Sequence, residues 1–440
     1  MKKILSIILF ILYIFPISAE DKVLNISVSS LDLTLNPFYA YTTTEAQYLS
    51  GIYEGLVSYN PKDLSPQPAL AESWTLSDDK KTYTFTLRDD IFFDDGEKIT
   101  STTFRDSFIK LLTPGTKAEF ASLLNIVKNA QKYRTKEITD SSLIGITTNG
   151  DKKLIITLEK RAPYFTKILC HHSFTPVPKE LLNKKIWQFG EQQSSGPYVL
   201  KKYNDKIILS KNKKYWDKNN VYFDTINLLL YRDTDTATKD YNQGKIDWMT
   251  GNTINLDKVS DLNTLKVNPL FGTTYYYFNT TYKEYSDPEI RNAISLLVPW
   301  NKIRENQYIP AKSLVPTLPD FPQNSVESAT NIEKAKEILK KKGYNNGKGI
   351  SNLIISIPEN AYNDDLIATL IKKSVEDNTE IKVEIKKVKY PEFFTINRTE
   401  PFTISTLSWI GDFADPLTFL EMWTSNSSYS YKPHSRYKCY

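Results

Sequence analysis

The chain has 440 residues, more than one compact core usually holds, so we expect two or three domains. Its formal charge of +5, or +3 without Lys2 and Lys3, and the lack of any Lys/Arg-dense block argue against a nucleic-acid-binding protein. The 28 tyrosines and 7 tryptophans suit wet interfaces and clefts, although many of them must pack in a core.

The N-terminus has the pattern of a secretory signal peptide. Lys2 and Lys3 precede an apolar run over residues 4–15, and Pro16 leads to the small residues Ser18 and Ala19. A membrane-spanning helix needs about 20 apolar residues, and this run is shorter. No cysteine follows the run to carry a lipid. We therefore expect cleavage after Ala19 and a periplasmic protein that is not a lipoprotein.

The first half of the chain predicts mainly strands. Residues 24–28 form the first of them, and residues 81–88 alternate strictly between apolar and polar side chains, which indicates a half-buried strand. A helix is predicted over 103–112 and a strand over 153–158. Residues from about 60 to 180 therefore read as a separate subdomain, rich in strands.

The second half changes character after further strands near 207–209, 226–230 and 275–278. Asp287 and Pro288 have the pattern of a helix start, and residues 331–342 form an amphipathic helix that Gly343 ends. Residues 353–357, 364–375 and 381–388 predict strand, helix and strand. Such a βαβ unit implies a parallel sheet.

A late strand, residues 403–410, ends at a turn that carries two acids. Asp412 and Asp415 follow Gly411, and Trp409 precedes it. Ligands of open α/β sheets bind beyond the carboxyl ends of strands, so an acid at this position could meet a ligand. Asp415 with Pro416 has the pattern of a helix cap. For Asp412, a cap, a turn and a ligand contact all stay open on local sequence alone.

The residues offer little for catalysis. The three histidines are His171, His172 and His434, and no nucleophile elbow, zinc motif or phosphate-binding glycine loop is present. Adjacent histidines in a strand would point to opposite faces, so we expect no metal site at His171 and His172. Cys170 and Cys439 could pair, but an apolar context favours a buried Cys170 thiol. We predict no enzyme and no cofactor.

Several stretches, in order from residue 24 to about 432, resemble the periplasmic solute-binding proteins of oligopeptide ABC importers, the extracellular family-5 type. Each stretch is weakly specific alone, but the ordered set is highly specific. The matching stretches are 35–37, 53–56, 70–74, 83–88, 93–96, 163–165, 175–179, 195–198, 215–217, 244–247, 275–279, 287–294 and 409–412.

The resemblance implies an α/β fold with mixed sheets, a two-lobed clamshell of the periplasmic-binding-protein type with an extra subdomain. Residues 1–19 would be the signal peptide, 20–54 and 180–271 lobe I, 55–179 the accessory subdomain, and 272–440 lobe II. It also implies short peptides as ligands, an inner-membrane ABC permease as partner, and a monomer.

The resemblance further implies a ligand-binding set. Trp409, Gly411 and Asp412 match the family's Trp-x-x-Asp, whose aspartate pairs with the peptide ammonium. Tyr390 aligns with an aromatic residue beside a side-chain pocket. The other implied positions are Asn252 near a cleft asparagine, Tyr275 in the hinge-proximal strand and Arg398 as partner of a peptide carboxylate.

Three departures leave alternatives open. Thr406 stands where well-known peptide binders have a basic residue, and Tyr41 where they have an acid, so peptide length and charge preference are open. The last residues, 434–440, match nothing in the family, which suggests a shortened reading frame. The alternatives are a nickel chelate, haem, glutathione or sugar as ligand, a non-functional remnant, or a secreted hydrolase or chaperone-like protein.

Overall fold

A computed structural model describes residues 21–40, 42–250, 253–266, 270–305, 309–318, 321, 328–359, 361–389, 393 and 402–423. The predicted signal peptide and the C-terminal residues 424–440 lie outside this part of the chain. Within the described residues, no helix is both long and apolar enough to cross a membrane.

Runs of strands and runs of α-helices follow one another along the described chain. The strands are β1 (Val23–Val28), β2 (Val57–Tyr59), β3 (Pro66–Pro68), β4 (Ala71–Leu76), β5 (Thr82–Leu87), β6 (Ile146–Asn149), β7 (Lys153–Thr157), β8 (Tyr198–Lys202), β9 (Lys206–Lys211), β10 (Thr225–Leu230), β11 (Trp248–Met249), β12 (Gly272–Phe278), β13 (Leu353–Pro358), β14 (Val383–Val388) and β15 (Ile404–Ile410). The α-helices are α1 (Thr43–Ile52), α2 (Ser101–Leu111), α3 (Ala130–Arg134), α4 (Phe165–Ile168), α5 (Thr234–Asn242), α6 (Pro288–Leu297), α7 (Trp300–Glu305), α8 (Ile332–Lys341), α9 (Tyr362–Asn378) and α10 (Leu417–Leu420). The 3-10 helices include Glu119–Ile126, His172–Phe174 and Glu421–Trp423.

Three sheets of four or five strands organise the described residues. The first sheet has the order β11-β1-β10-β9-β8, in which β1 runs parallel to β10 and to β11, and β8, β9 and β10 are antiparallel. The second sheet, β4-β5-β7-β6, is antiparallel throughout. The third, β12-β15-β13-β14, is mixed. A small hairpin joins β2 to β3.

The local signals in the sequence explain the best predicted elements. In β5, the alternating residues Tyr83, Phe85 and Leu87 are all buried, as the period of two requires. Helix α6 begins after Asp287, whose carboxylate accepts the backbone N–H of Glu289 at 2.8 Å, and its apolar face is buried. Helix α8 ends before Gly343, which has a positive φ of 90°. The predicted βαβ unit is β13-α9-β14, with parallel strands.

Buried apolar side chains form two clusters. The first cluster joins the first and second sheets and includes Phe85, Phe104 and Leu209. The second cluster packs α6, α8 and α9 against the third sheet and includes Ile294 and Ile355. The predicted mixed α/β character is confirmed, whereas the domain boundaries stay predictions.

Candidate functional site

Strand β15 leads to the candidate site. It lies between β12, which is antiparallel to it, and β13, which is parallel to it, so β13 and β15 end at the same edge of the third sheet. Thr403, just before β15, fixes its start, because its Oγ1 accepts the N–H of Ile354 at 2.6 Å. The predicted strand and its end at Gly411 are confirmed. The turn that follows lies where open α/β sheets bind ligands.

Gly411 is required at the turn because another side chain occupies the space of its missing Cβ. A Cβ there would lie 2.4 Å from Cε1 of Phe271 and 2.9 Å from Cγ2 of Thr418. The backbone N–H of Gly411 also donates to the carbonyl of Phe271 at 2.7 Å. This close approach ties the end of β15 to the residue that precedes β12.

The backbone N–H and the backbone carbonyl of Asp412 are both hydrogen-bonded, and its side chain is half-buried. Its N–H donates to Thr418 Oγ1 at 2.8 Å, and its carbonyl accepts the hydroxyl of Tyr59 at 2.9 Å. The Thr418 hydroxyl also lies 3.4 Å from Asp412 Oδ2. These contacts fix a carboxylate directly beyond the carboxyl end of β15, where a cationic ligand group could pair with it.

Trp409 and Tyr275 share one face of the third sheet. In the register of β12 and β15, Tyr275 pairs with Leu407 and Trp409 with Thr273, so their side chains are diagonal neighbours. Both residues are half-buried. The Tyr275 ring also lies 5.7 Å from that of Trp423. The structure therefore brings Trp409, Tyr275, Gly411 and Asp412 to one region.

The other three predicted ligand-binding residues, Tyr390, Asn252 and Arg398, lie outside the described residues, and so does Tyr41. Their roles stay predictions. Thr406 is described and is buried. Its hydroxyl lies 3.2 Å from Asp364 Oδ1, which also accepts the hydroxyl of Tyr276 at 3.1 Å.

Asp415 and Pro416 were predicted as N-cap and first residue of a helix, but α10 begins at Leu417, with Pro416 as its N-cap, so Asp415 lies one residue before the cap. Its Oδ1 accepts the backbone N–H of Leu417 at 3.0 Å, at the start of α10. The partners of Asp412 were not predicted, because Tyr59 is 353 residues away and is one of 28 tyrosines. Only the tertiary fold reveals that contact.

The prediction that His171 and His172 lie in a strand and point to its opposite faces is wrong. These residues form a tight turn rather than a strand, and their ring centres are 4.0 Å apart. Both are buried against Phe120, and burial lowers the pKa of each. Among the described residues, no group of three or more His, Cys, Asp or Glu side chains could hold a metal ion. Among the described residues Cys170 forms no disulfide, it is half-buried, and burial raises its pKa to about 12; its predicted alternative partner, Cys439, lies outside them.

Several of the stretches that resemble the family lie together around Glu54. These stretches are far from Asp412 in sequence. The Glu54 cluster consists of Glu54, Arg88, Tyr215 and Trp216. The Glu54 carboxylate accepts the Tyr215 hydroxyl and the Trp216 indole N–H, each at 2.6 Å. The Arg88 guanidinium lies 3.6 Å from the centre of the Trp216 ring.

The backbone around the Glu54 cluster is equally close-packed. The N–H of Gly196 donates to the carbonyl of Ile52 at 3.0 Å, and a Cβ on Gly196 would lie 3.0 Å from the nitrogen of Tyr53. The N–H of Leu70 donates to the carbonyl of Gly55 at 3.1 Å. These stretches therefore join the first sheet to the second. Sequence similarity identified these stretches, but it could not show that they join the two sheets.

The family model described as bacterial extracellular solute-binding proteins, family 5 Middle, matches residues 65–431. The chain belongs to this family. The family is one of solute-binding proteins rather than enzymes, and its members act in the periplasm or outside the cell. The prediction of the family from the ordered stretches is confirmed.

Relatives of this family-5 protein include the oligopeptide-binding protein OppA of Bacillus subtilis, 27% identical over 91% of this chain and 77% of its own length. The periplasmic oligopeptide-binding protein OppA of Escherichia coli is 28% identical over 90% of this chain and 76% of its own length. Among solved structures, the periplasmic oligopeptide-binding protein OppAIV of Borrelia burgdorferi has a TM-score of 0.78 at 27% identity, covering 94% of this chain and 84% of its own. This similarity confirms the predicted fold class of the family-5 protein.

Proposed function

We propose that this protein binds short peptides in a cleft between two lobes and delivers them to the permease of an ABC importer, without catalysing a reaction. The relatives named above support peptides as the ligand class. The observation that supports the proposal most is the position of Asp412, a half-buried carboxylate beyond the end of β15 with the aromatic Trp409 close by in sequence.

The proposed chemistry separates affinity from selectivity. Main-chain hydrogen bonds to an extended peptide give affinity without reading its sequence. Hydrated pockets then tolerate varied side chains. Burying a carboxylate in a closed cleft costs free energy unless a cation meets it. Asp412 would therefore select peptides whose N-terminal ammonium is free.

The remaining ligand contacts belong to the same proposal. Gly411 and Trp409 would shape the end of the cleft that receives the ammonium, and Tyr275 would line its wall. Tyr390 would border a side-chain pocket, Asn252 would lie near the cleft, and Arg398 would pair with the peptide carboxylate. We propose that the protein acts as a periplasmic monomer after removal of residues 1–19.

Titration calorimetry with one tripeptide in free and N-acetylated forms tests the proposal. The Asp412→Asn variant keeps the size of the side chain and removes its charge. Breaking such a charge pair typically costs about 2–5 kcal/mol, so we expect at least about 30-fold weaker binding of the free peptide. N-acetylation should weaken binding to the wild type similarly and add little for the variant.

Asp415→Asn is the matched control, because an asparagine can still accept the N–H of Leu417. It should bind the free peptide like the wild type. The proposal is wrong if no peptide of two to five residues binds the wild type. The proposed pairing of Asp412 with the peptide ammonium is wrong if Asp412→Asn binds free and acetylated peptides as the wild type does.

A further inference from the structure

The Asp412 loop, residues 411–416, makes two hydrogen bonds through its carbonyls to distant parts of the chain. The Tyr59 hydroxyl, from β2, lies 2.9 Å from the carbonyl oxygen of Asp412. The ammonium of Lys167, from α4, donates to the carbonyl of Ala414 at 2.9 Å. The Tyr59 hydroxyl is also 3.5 Å from the backbone carbonyl of Lys167, so Tyr59 contacts both the Asp412 loop and α4.

The side chain of Phe413, which lies between these two carbonyls in sequence, is buried. Phe413 is 1% exposed and belongs to the first cluster of buried side chains. Its ring stacks on that of Tyr164, with 6.4 Å between centres and 22° between planes. Ile404, at the start of β15, belongs to the second cluster. The chain therefore passes from one core to the other within ten residues, and Asp412 lies at the crossing.

The surroundings of Tyr59 keep its hydroxyl protonated. Burial raises the pKa of Tyr59, and the nearby Cys170 and the Asp412 carboxylate raise it further. The phenol therefore keeps its proton and remains a donor. Tyr164 similarly has its pKa raised by burial and by Glu421 and Asp415.

We propose that Tyr59 and Lys167 are positioning residues for the ligand-binding carboxylate. They fix the carbonyls on either side of Phe413 and so set the direction in which the Asp412 side chain meets a ligand ammonium. This inference rests on the proposed function. It assigns control of peptide selectivity to β2 and α4, which contribute no predicted ligand contact of their own.

Two variants and one control test the inference by calorimetry with the free and N-acetylated tripeptide. Tyr59→Phe keeps the ring and removes the hydroxyl, and Lys167→Met keeps the length and removes the donor. Tyr198→Phe is the control, since the Tyr198 hydroxyl, on β8, donates to a backbone carbonyl outside α4 and the Asp412 loop, that of Phe223, at 3.2 Å. Melting temperatures of all three variants report loss of stability separately.

We expect Tyr59→Phe and Lys167→Met each to weaken binding of the free peptide about tenfold, the loss expected for about 1.4 kcal/mol. The ratio of the affinity for the free peptide to the affinity for the acetylated peptide should fall as well, because the Asp412 carboxylate would no longer be directed at the ligand ammonium. Tyr198→Phe should keep the wild-type ratio even where its melting temperature falls.

Each of the following results would overturn the inference. If both variants melt lower than the wild type but keep its affinity ratio, Tyr59 and Lys167 serve stability alone. If Tyr198→Phe loses the ratio as strongly as they do, the effect is a general loss of packing. If the wild type binds no peptide, the proposed function fails together with the inference. If the wild type binds peptide and both variants match it, only the inference fails.

Discussion

At the scale of single residues, local chemistry predicts some positions of the site and long-range packing decides the others. Asp415 was predicted as a helix cap from the Asp-Pro pair; its carboxylate does accept the N–H of Leu417, although α10 begins one residue later than predicted. Gly411 was predicted as a turn residue and ligand contact. The structure gives a different physical reason for a glycine there, namely the Phe271 ring that occupies the Cβ position.

This packing predicts the result of Gly411→Ala. The added methyl group would lie 2.4 Å from the Phe271 ring, so the ring or the loop must move. Overpacking of this kind costs about 1–3 kcal/mol. We expect chemical denaturation to show a loss of this size, and calorimetry to show weaker binding of the free tripeptide because Asp412 follows directly.

Gly51→Ala is the matched control for this prediction. A Cβ at Gly51 meets only Leu209 Cδ1, at 3.9 Å, and the residue lies in α1. Alanine is the better helix former, so this variant should be as stable as the wild type or more stable. Equal stability of Gly411→Ala and Gly51→Ala would show that the Phe271 contact does not constrain the turn.

At the scale of elements, prediction succeeded where a short stretch carries its own signal. Helices α6 and α8 have caps, apolar faces and stop signals within their own residues, and β5 has strict alternation. Helix α5 was not predicted, because its sequence is polar and only Ala237 and Thr238 are buried, although Asp233 caps it. The Glu54 cluster joins stretches about 160 residues apart, and no local pattern connects them.

The Glu54 cluster predicts a dependence of stability on pH. Burial raises the pKa of Glu54 from 4.5 to about 7, against the hydrogen bonds from Tyr215 and Trp216 and the charge of Arg88, which lower it, while Asp217 raises it. Between pH 4.5 and 7 the unfolded chain therefore ionises Glu54 while the folded protein keeps the proton. The stability contributed by this group falls as pH rises through that range, by up to about 3 kcal/mol.

Glu54→Gln tests this dependence, because glutamine is neutral at every pH. The free energy of unfolding of the wild type minus that of Glu54→Gln, from urea denaturation, should fall between pH 4.5 and 7 and stay constant above. Glu72→Gln is the control, because Glu72 is exposed on β4, and it should follow the wild type at each pH. A difference for Glu54→Gln that rises with pH would show that the folded state holds Glu54 as a carboxylate already at low pH.

At the scale of the whole molecule, the Asp412 loop connects the two clusters of buried side chains. β15 packs in the second cluster through Ile404, and Phe413 packs in the first. A ligand that bridges the two regions would therefore stabilise both at once. Composition and the ordered family stretches predicted the family and the fold class. They could not predict this crossing, because it depends on which residues meet after folding.

The most direct test of the central claim is a thermal melt of the protein with a pool of di- to pentapeptides and with the same pool N-acetylated. A ligand at 100 times its dissociation constant adds about 2.7 kcal/mol to the free energy of unfolding, which raises the melting temperature by a few degrees. We predict this rise for the free peptides and little or none for the acetylated pool. Equal rises for both pools, or none for either, would contradict the role proposed for Asp412 and for peptides as its ligands.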